Sequence, residues 1–382
     1  MAAHEGRPPE IADILRGYAP ALDRLGPDRR RAVRDITSCR TAALGGHLHK
    51  CDECGHEVPL YNSCRNRHCP KCQSLEQARW VEQQLRDLLP VHYFHVVFTV
   101  PACLQPLLVR DRRQSYALLF AAVWETLGEV CRRRLGATPG MIAVLHTWSQ
   151  TLVFHPHVHC IVTGGGIDSS GKRWISSRPD YFLPVRVLSR VFRAKLLQAL
   201  DVSIGSRQRD QGTPILRRAV SQPWVVYSKP PMAGPQQVLR YLGRYTHRIA
   251  IGNERIVSIG KGHVSFRYRD RRRGNRACLL TVTGSEFARR FLLHVLPKRF
   301  VRLRHYGLFA NAHRTARIAQ ARLTLDASLP AQPLNAPAES WQDLYRRITG
   351  HDPDRCPACG HGTLRIVAVL APAHPPLSNR GP

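Results

Sequence analysis

Three histidines at alternate positions, His155, His157 and His159, stand in an otherwise apolar run, with Pro156 and Val158 between them. Leu152, Val153 and Phe154 lead in, Cys160-Ile161-Val162-Thr163 follow, and Gly164 to Gly166 close the stretch. The segment from Thr151 to Thr163 therefore predicts a buried strand that ends in a glycine turn. Side chains alternate along a strand, so the three imidazoles share one face. Burying them together is costly unless something binds them, and a metal ion or a phosphate is the usual partner. The plain alternative is a core strand whose histidines bond to neighbouring backbone.

Two chemistries fit that spacing. His-apolar-His-apolar-His-apolar-apolar is the pattern of histidine-triad nucleotide hydrolases, satisfied if Pro156 and Cys160 count as apolar, whereas His157-Val158-His159 is the His-hydrophobe-His metal motif of rolling-circle nucleases. A second stretch separates them. Val238-Leu239-Arg240-Tyr241-Leu242-Gly243-Arg244-Tyr245-Thr246-His247-Arg248 follows Pro235 and two glutamines, and its apolar spacing of three and four predicts a helix. Tyr241 and Tyr245 then project from one face, about 6 Å apart along the axis. Arg240, Arg244 and Arg248 form a stripe beside them. Such a pair suits attack on a DNA phosphate: one phenol as nucleophile, guanidinium groups that neutralise charge, a metal that polarises the phosphate. By itself the stretch also reads as an amphipathic helix with packed tyrosines and solvated arginines.

A third cluster lies near the N-terminus: Cys39, His47, His49, Cys51, Cys54, Cys64, His68, Cys69 and Cys72. The pairs Cys51/Cys54 and Cys69/Cys72 stand 18 residues apart, the spacing of a four-cysteine zinc ribbon, and predict a structural Zn2+ site. Cys39, His47, Cys64 and His68 supply ligands for a second site in the same block. So small a block needs metal to fold, and four filled ligand positions leave none for catalysis. DNA contact is its expected task, helped by Arg65, Arg67 and Lys71.

Together, the cysteine block, the His-Pro-His-Val-His strand with its glycine end, and Tyr-Leu-Gly-Arg-Tyr-Thr-His-Arg resemble the two-tyrosine HUH transposases of the insertion sequence ninety-one family. The resemblance spans roughly residues 10 to 325. It implies a palm-like HUH nuclease fold and rolling-circle chemistry on DNA.

Composition agrees with a nucleic-acid partner. Lys plus Arg number 57 against 27 acids, a net charge of +30 over 382 residues, which points to a polyanion. A hydrophobic fraction of 43% supports a real core, while 28 prolines and 27 glycines imply many loops. No run reaches the length of a membrane span, and Met1-Ala2-Ala3-His4-Glu5 does not open like a signal peptide, so a cytoplasmic, nucleoid-associated location without membrane is expected. Eight of the 12 cysteines are grouped in short spacings, which favours metal over disulfides in so large a chain.

The elements that must position these groups follow from periodicity. Helices are expected over 9–18 and 27–36, over 74–89, 112–135, 187–203, 285–296 and 341–348, and strands over 92–100, 140–149 and 224–228. Residues 255–259 and 263–268 alternate as a hairpin rich in arginines and aromatics, a pattern suited to single-stranded DNA, and 298–307 repeats the mix. The expected fold class is α+β: an antiparallel sheet of four or five strands covered by helices on one side, preceded by a small helical and zinc-ribbon domain, which matches the palm-like HUH fold that the resemblance implies. The expected domains are 1–38, a helical lead-in; 39–90, zinc binding plus a connecting helix; 91–325, catalytic; 326–340, a linker; and 341–382, a Cys356/Cys359 segment and disordered tail. That last pair is half a metal site, with His351 or His361 as candidates to complete it.

The resulting expectation is a transposase that cuts and rejoins single-stranded DNA at element ends. His157 and His159 would hold catalytic Mg2+ or Mn2+, with His155 or Gln150 as the third ligand, and Tyr241 or Tyr245 would form a 5′-phosphotyrosine. Alternatives are a histidine-triad nucleotide hydrolase, a non-catalytic zinc-ribbon DNA-binding protein, and a relaxase or replication initiator.

Overall fold

The computed structural model describes residues 7–72, 87–204, 209–229, 249–270, 273–325 and 340–373. The expected tyrosine helix, with Arg240, Arg244 and Arg248, lies outside the described residues, as do the linker 326–339 and most of the helix expected over 74–89.

The chain opens with α1 (Ile11–Tyr18), α2 (Pro27–Ser38), β1 (Gly46–Cys51) and β2 (Glu57–Tyr61). β3 (Tyr93–Thr99), α3 (Gln105–Arg110), α4 (Arg112–Leu135), β4 (Ala137–Thr138), β5 (Gly140–Trp148), β6 (Phe154–Thr163), β7 (Gly165–Asp168) and β8 (Trp174–Ser176) follow. Next come α5 (Val185–Ser203), α6 (Arg209–Ser221), β9 (Val225–Lys229), β10 (Ile256–Gly260), β11 (His263–Asp270), β12 (Arg276–Thr283) and α7 (Gly284–Leu293). The chain closes with β13 (Leu303–Gly307), α8 (Arg314–Thr324), α9 (Trp341–Thr349) and β14 (Leu364–Leu370).

α4 shows why such boundaries were readable. Asp111 caps it by accepting from the Gln114 amide, Gly136 stops it in the left-handed region at φ 69°, and three arginines occupy its last turn, where the helix dipole favours cations. The helix expected over 112–135 has those bounds.

The frame is a five-stranded antiparallel sheet, ordered β13-β5-β6-β3-β9. This is the expected antiparallel α+β architecture. On one face Phe94, Val96 and Phe98 of β3, Met141, Ala143 and Leu145 of β5, and Val158, Cys160 and Val162 of β6 pack beneath α4 and α5. The opposite face is divided. Tyr93, Ile142, Val144 and Ile161 are covered by Ile318 and Ala321 of α8 and by Phe309, so helices lie on both sides rather than one. The other half of that face carries histidines.

A second core joins α1, α2 and α7 to the three-stranded sheet β10-β11-β12 through Ile11, Ile14, Val33, Phe266, Phe287 and Phe291. Cys39, Cys69, Trp148 and Leu152 belong to the same core, so it touches both the cysteine block and the end of the β5–β6 hairpin. The third sheet, β14-β1-β2, was not expected from sequence: β14 pairs antiparallel with β1 from Gly46↔Leu370 to Cys51↔Leu364.

The glycine run after the histidine strand is sterically required. A Cβ at Gly164 would meet the His92 ring at 2.1 Å, one at Gly166 the Thr138 carbonyl oxygen at 2.2 Å, and Gly165 sits at φ 149°. The chain can therefore leave β6 and re-enter pairing at β7 only without side chains there.

Candidate metal centres and active site

The turn Ser149–Val153 sets the register of the β5–β6 hairpin. Ser149 accepts from the Thr151 and Val153 amides, and Leu152 is fully buried at φ 61°, a conformation that needs outside support in a branched residue. That support comes from three cationic or polar side chains bonding turn carbonyls: Arg255 to Gln150, Arg290 to Thr151, and the His294 ring to Leu152. In the resulting register His146 faces His157, and Val144 faces His159. The register slips at His146/Trp148, where His155 and Pro156 together stand opposite Thr147. A bulge at a proline is expected, because Pro156 has no N–H for the ladder.

His146, His157 and His159 thereby converge, each offering one ring nitrogen, all within 4.8 Å of one another. His146 and His159 are buried at 3% and 5% exposure, and His157 is half-buried, which leaves one side open to a ligand. The third member of the group is His146 from β5, not His155 or Gln150. His155 stays beside His157, ring centroids 5.2 Å apart, but is part of the bulge and lies outside the three-nitrogen group. Gln150 sits in the turn, its carbonyl held by Arg255 at 2.6 Å.

Groups behind the cluster orient the rings. The His157 Nδ1 is 2.7 Å from the His155 carbonyl, so that nitrogen donates and Nε2 is left as the electron-pair donor. His159 Nδ1 lies 2.9 Å from His95 Nε2, with the rings stacked at 3°, and its Nε2 is likewise left for the cluster. His146 stacks on Trp148 at 4.7 Å, and Trp148 packs against His294, which in turn bonds Thr147 at 3.1 Å. Burial holds His294 down at about 4 and, with Lys229 adding to it, His95 at about 4, so both rings are neutral at pH 7. Among the described residues the group holds three imidazoles and no carboxylate, a donor set that suits a divalent transition ion better than Mg2+.

His146 and His95 were not picked out from sequence. Each had a signal: His146 falls in phase with Ile142 and Val144 on the strand that precedes the histidine strand, and His95 falls opposite Ile161 on its other neighbour. His92, by contrast, bonds Ser177 at 3.1 Å and acts in packing.

Eight of the 12 cysteines form two groups of four, partitioned differently from the expectation. Cys39, Cys64, Cys69 and Cys72 converge in one, and Cys51, Cys54, Cys356 and Cys359 in the other, with all sulfurs of each group within 4.8 Å. Cys51/Cys54 and Cys69/Cys72 thus belong to separate sites, because α2 delivers Cys39 to the second knuckle while β14 carries Cys356 and Cys359 to the first. The first group is embedded in the second core, with Cys39 and Cys69 fully buried. Hydrogen bonds from Cys39, Cys64 and Cys69 hold the Cys72 sulfur far below the ordinary thiol range, while Cys39, Cys69 and Cys72 push Cys64 up. Four such thiols fit structural zinc.

His47 and His68 take no part in either group. His68 is consumed structurally: its Nε2 accepts from the Leu296 amide, and burial, with Arg67 adding to it, lowers its pKa well below the ordinary value. His47 lies on β1, its carbonyl 3.4 Å from His49 Nδ1. His361 is held by Glu53 at 2.9 Å rather than completing a site.

Among the arginines expected on DNA, Arg65 is exposed at φ 52°. Arg67 is turned inward, donating to the carbonyls of Leu296, Pro297 and Phe300, so its guanidinium is not offered to phosphate. Lys71 pairs with Glu10 at 2.6 Å. Three rings of the basic-aromatic stretches are spent internally. Phe266 packs on Phe287, Phe300 on Tyr116, and Tyr306 stacks on Trp124, which leaves the exposed Arg267 and Arg269 as the outward part of the hairpin. No helix among the described residues is long and apolar enough to cross a membrane.

Comparison with known proteins gives two family matches. A family model described as "Transposase zinc-binding domain" matches residues 11–100, and one described as "Putative transposase" matches residues 140–317. "Putative transposase y4qJ" of Sinorhizobium fredii is 45% identical over 380 residues, covering 95% of this chain and 96% of that relative. The "Transposase for insertion sequence element IS801" of Pseudomonas savastanoi pv. phaseolicola is 28% identical over 355 residues, covering 88% of this chain and 83% of the relative. No solved structure matches.

Proposed function

Because this chain belongs to the insertion sequence ninety-one family of transposases, we propose that it moves DNA by a rolling-circle route, cutting and rejoining single strands through a 5′-phosphotyrosine. The observation that carries this reading is the convergence of His146, His157 and His159 on the open half of one sheet face. A Mn2+ or Mg2+ ion bound there would supply Lewis-acid polarisation of a phosphate oxygen. The chain's own part is to hold the Nε2 atoms of His157 and His159 ready through the His155 carbonyl and His95, and the His146 ring in place against Trp148, so that the site needs little rearrangement on binding.

Tyr241 or Tyr245 acts as nucleophile: its oxygen forms the bond to phosphorus, the bond to the 3′ oxygen breaks, and a proton passes to that leaving oxygen. The second tyrosine takes the other strand, so no nucleotide hydrolysis is needed. Phenol ionises near 10, so the neighbouring Arg240, Arg244 and Arg248 favour the phenolate. The domain plan of a zinc-binding N-terminal part and a catalytic part over 91–325 serves this division of labour. Single-stranded DNA at element ends is the substrate, and binding should fall ~10³-fold between 50 and 200 mM salt if about six phosphates are contacted.

The test is a covalent-adduct assay with labelled single-stranded oligonucleotides tiled across the DNA flanking the gene, with Mn2+ or a chelator. A metal-dependent, protease-sensitive adduct that persists in at least one single Tyr→Phe variant and is lost in Tyr241→Phe/Tyr245→Phe supports the proposal. Intact DNA binding without adduct on any tile would leave a zinc-dependent DNA-binding protein.

A further inference from the structure

The zinc-binding family model ends at residue 100, yet the Cys51/Cys54 knuckle has no third or fourth sulfur before that point. Its partners are Cys356 and Cys359: Cys51 Sγ lies 3.7 Å from Cys359 Sγ, and Cys54 Sγ 3.7 Å from Cys356 Sγ. We propose that these four cysteines form a second Zn2+ site, a clasp that joins the N-terminal sheet to a segment more than 300 residues away.

The two halves have one local design. Each is Cys-x-x-Cys-Gly, with the glycine in the left-handed region at φ 70° for Gly55 and 75° for Gly360. In each the glycine amide bonds back to the first cysteine's carbonyl, Gly55 to Cys51 and Gly360 to Cys356. Backbone amides point at sulfur in both, Cys54 to Cys51 Sγ and Gly362 to Cys359 Sγ, an arrangement that stabilises thiolates rather than thiols. Around the sulfurs the two halves are sealed to each other. Asp52 and Thr363 exchange hydrogen bonds, the Asp52 amide to the Thr363 carbonyl and the Thr363 amide to Asp52 Oδ1 at 2.8 Å. A Cβ at Gly362 would fall 2.3 Å from Cys51 Sγ, so the backbone is pressed against the site. β14 then runs from the second half along β1.

Four sulfur donors at tetrahedral-compatible separations, with tight glycine turns and amides aimed at sulfur, select a soft, structural ion and leave no open coordination position. The clasp is therefore distinct in task from the three-histidine centre. It makes Cys356, Cys359 and β14 part of the zinc domain.

The test uses full-length protein purified with zinc and measures metal per chain by mass spectrometry. Wild type should carry two zinc ions, one for each four-cysteine group. Cys51→Ser/Cys54→Ser, Cys356→Ser/Cys359→Ser and the variant with all four changes should each keep one, because both pairs serve the same ion. One zinc in the wild type, two in the Cys356→Ser/Cys359→Ser variant, or a larger loss with all four changes than with either pair would overturn the clasp. If these variants are insoluble, alkylation of wild-type holoprotein decides. All four clasp cysteines should be protected and become reactive together on chelation, as a set apart from Cys39, Cys64, Cys69 and Cys72. Alkylation of Cys356 and Cys359 at full zinc occupancy, with Cys51 and Cys54 protected, would refute it.

Discussion

Strand β6 carries two kinds of residue on its two faces. Val158, Cys160 and Val162 pack beneath α4 and α5, while His157 and His159 on the reverse side gather with His146. One strand of ten residues thus carries core packing on one side and the proposed metal centre on the other, and the strand's period of two keeps them apart. The apolar side tolerates any side chain of similar volume. The histidine side depends on identity and register, and it adds little to stability because imidazoles crowded without an ion gain little from burial.

The sharpest way to break this contrast is His146→Ala. We expect DNA cleavage to fall by at least ~10³-fold, since an ion bound by two histidines loses affinity and its polarising position, whereas His155→Ala should retain most activity. Equal losses in the two variants, read by single-turnover cleavage, would return His155 to the ligand set. A finer probe is His95→Phe. Losing the ring nitrogen that bonds His159 should weaken Mn2+ binding ~10- to 100-fold by calorimetric titration while the fold persists, and unchanged affinity would mean that His95 only packs.

The opposite face gives the complementary result. Val158→Ala should cost about 2 kcal/mol in denaturant unfolding, from lost burial plus a cavity, with Mn2+ affinity unchanged. A change in affinity would show that the two faces are coupled. The smallest effect is expected away from both, at Glu286 in the first turn of α7, whose carboxylate is held down at about 2 by Arg289 and then Arg290. Its lowered pKa contributes stability above the ordinary 4.5, and this contribution fades as pH falls toward 2. Glu286→Gln should therefore cost well under ~1 kcal/mol at pH 7, since Arg289 is exposed and solvent screens the pair, and the difference from wild type should close between pH 4.5 and 2.

What the sequence made legible were features that depend on near neighbours. The bounds of α4 follow from Asp111, Gly136 and the arginines between, and the alternation of β6 follows from period two. What it hid depends on pairing. His146 joins His157 only once the Ser149–Val153 turn is set, and that turn is held by Arg255, Arg290 and His294 from more than 100 residues away. The partition of the cysteines was hidden for the same reason: spacing groups Cys51/Cys54 with Cys69/Cys72, whereas topology hands the first pair to Cys356/Cys359. Arg67 looked like a phosphate ligand because nothing local shows that three carbonyls near Phe300 would face it.

The pairing of β1 with β14 also has a temporal meaning. The chain leaves the ribosome N-terminus first, so β1 and β2 are made before the neighbour that completes their sheet, which follows more than 300 residues later. A truncated product, whether from a frameshift, a premature stop or a nicked message, would carry β1 with an open edge and Cys51 and Cys54 with no partner sulfurs. Completion of the N-terminal sheet thereby reports that translation has passed residue 370.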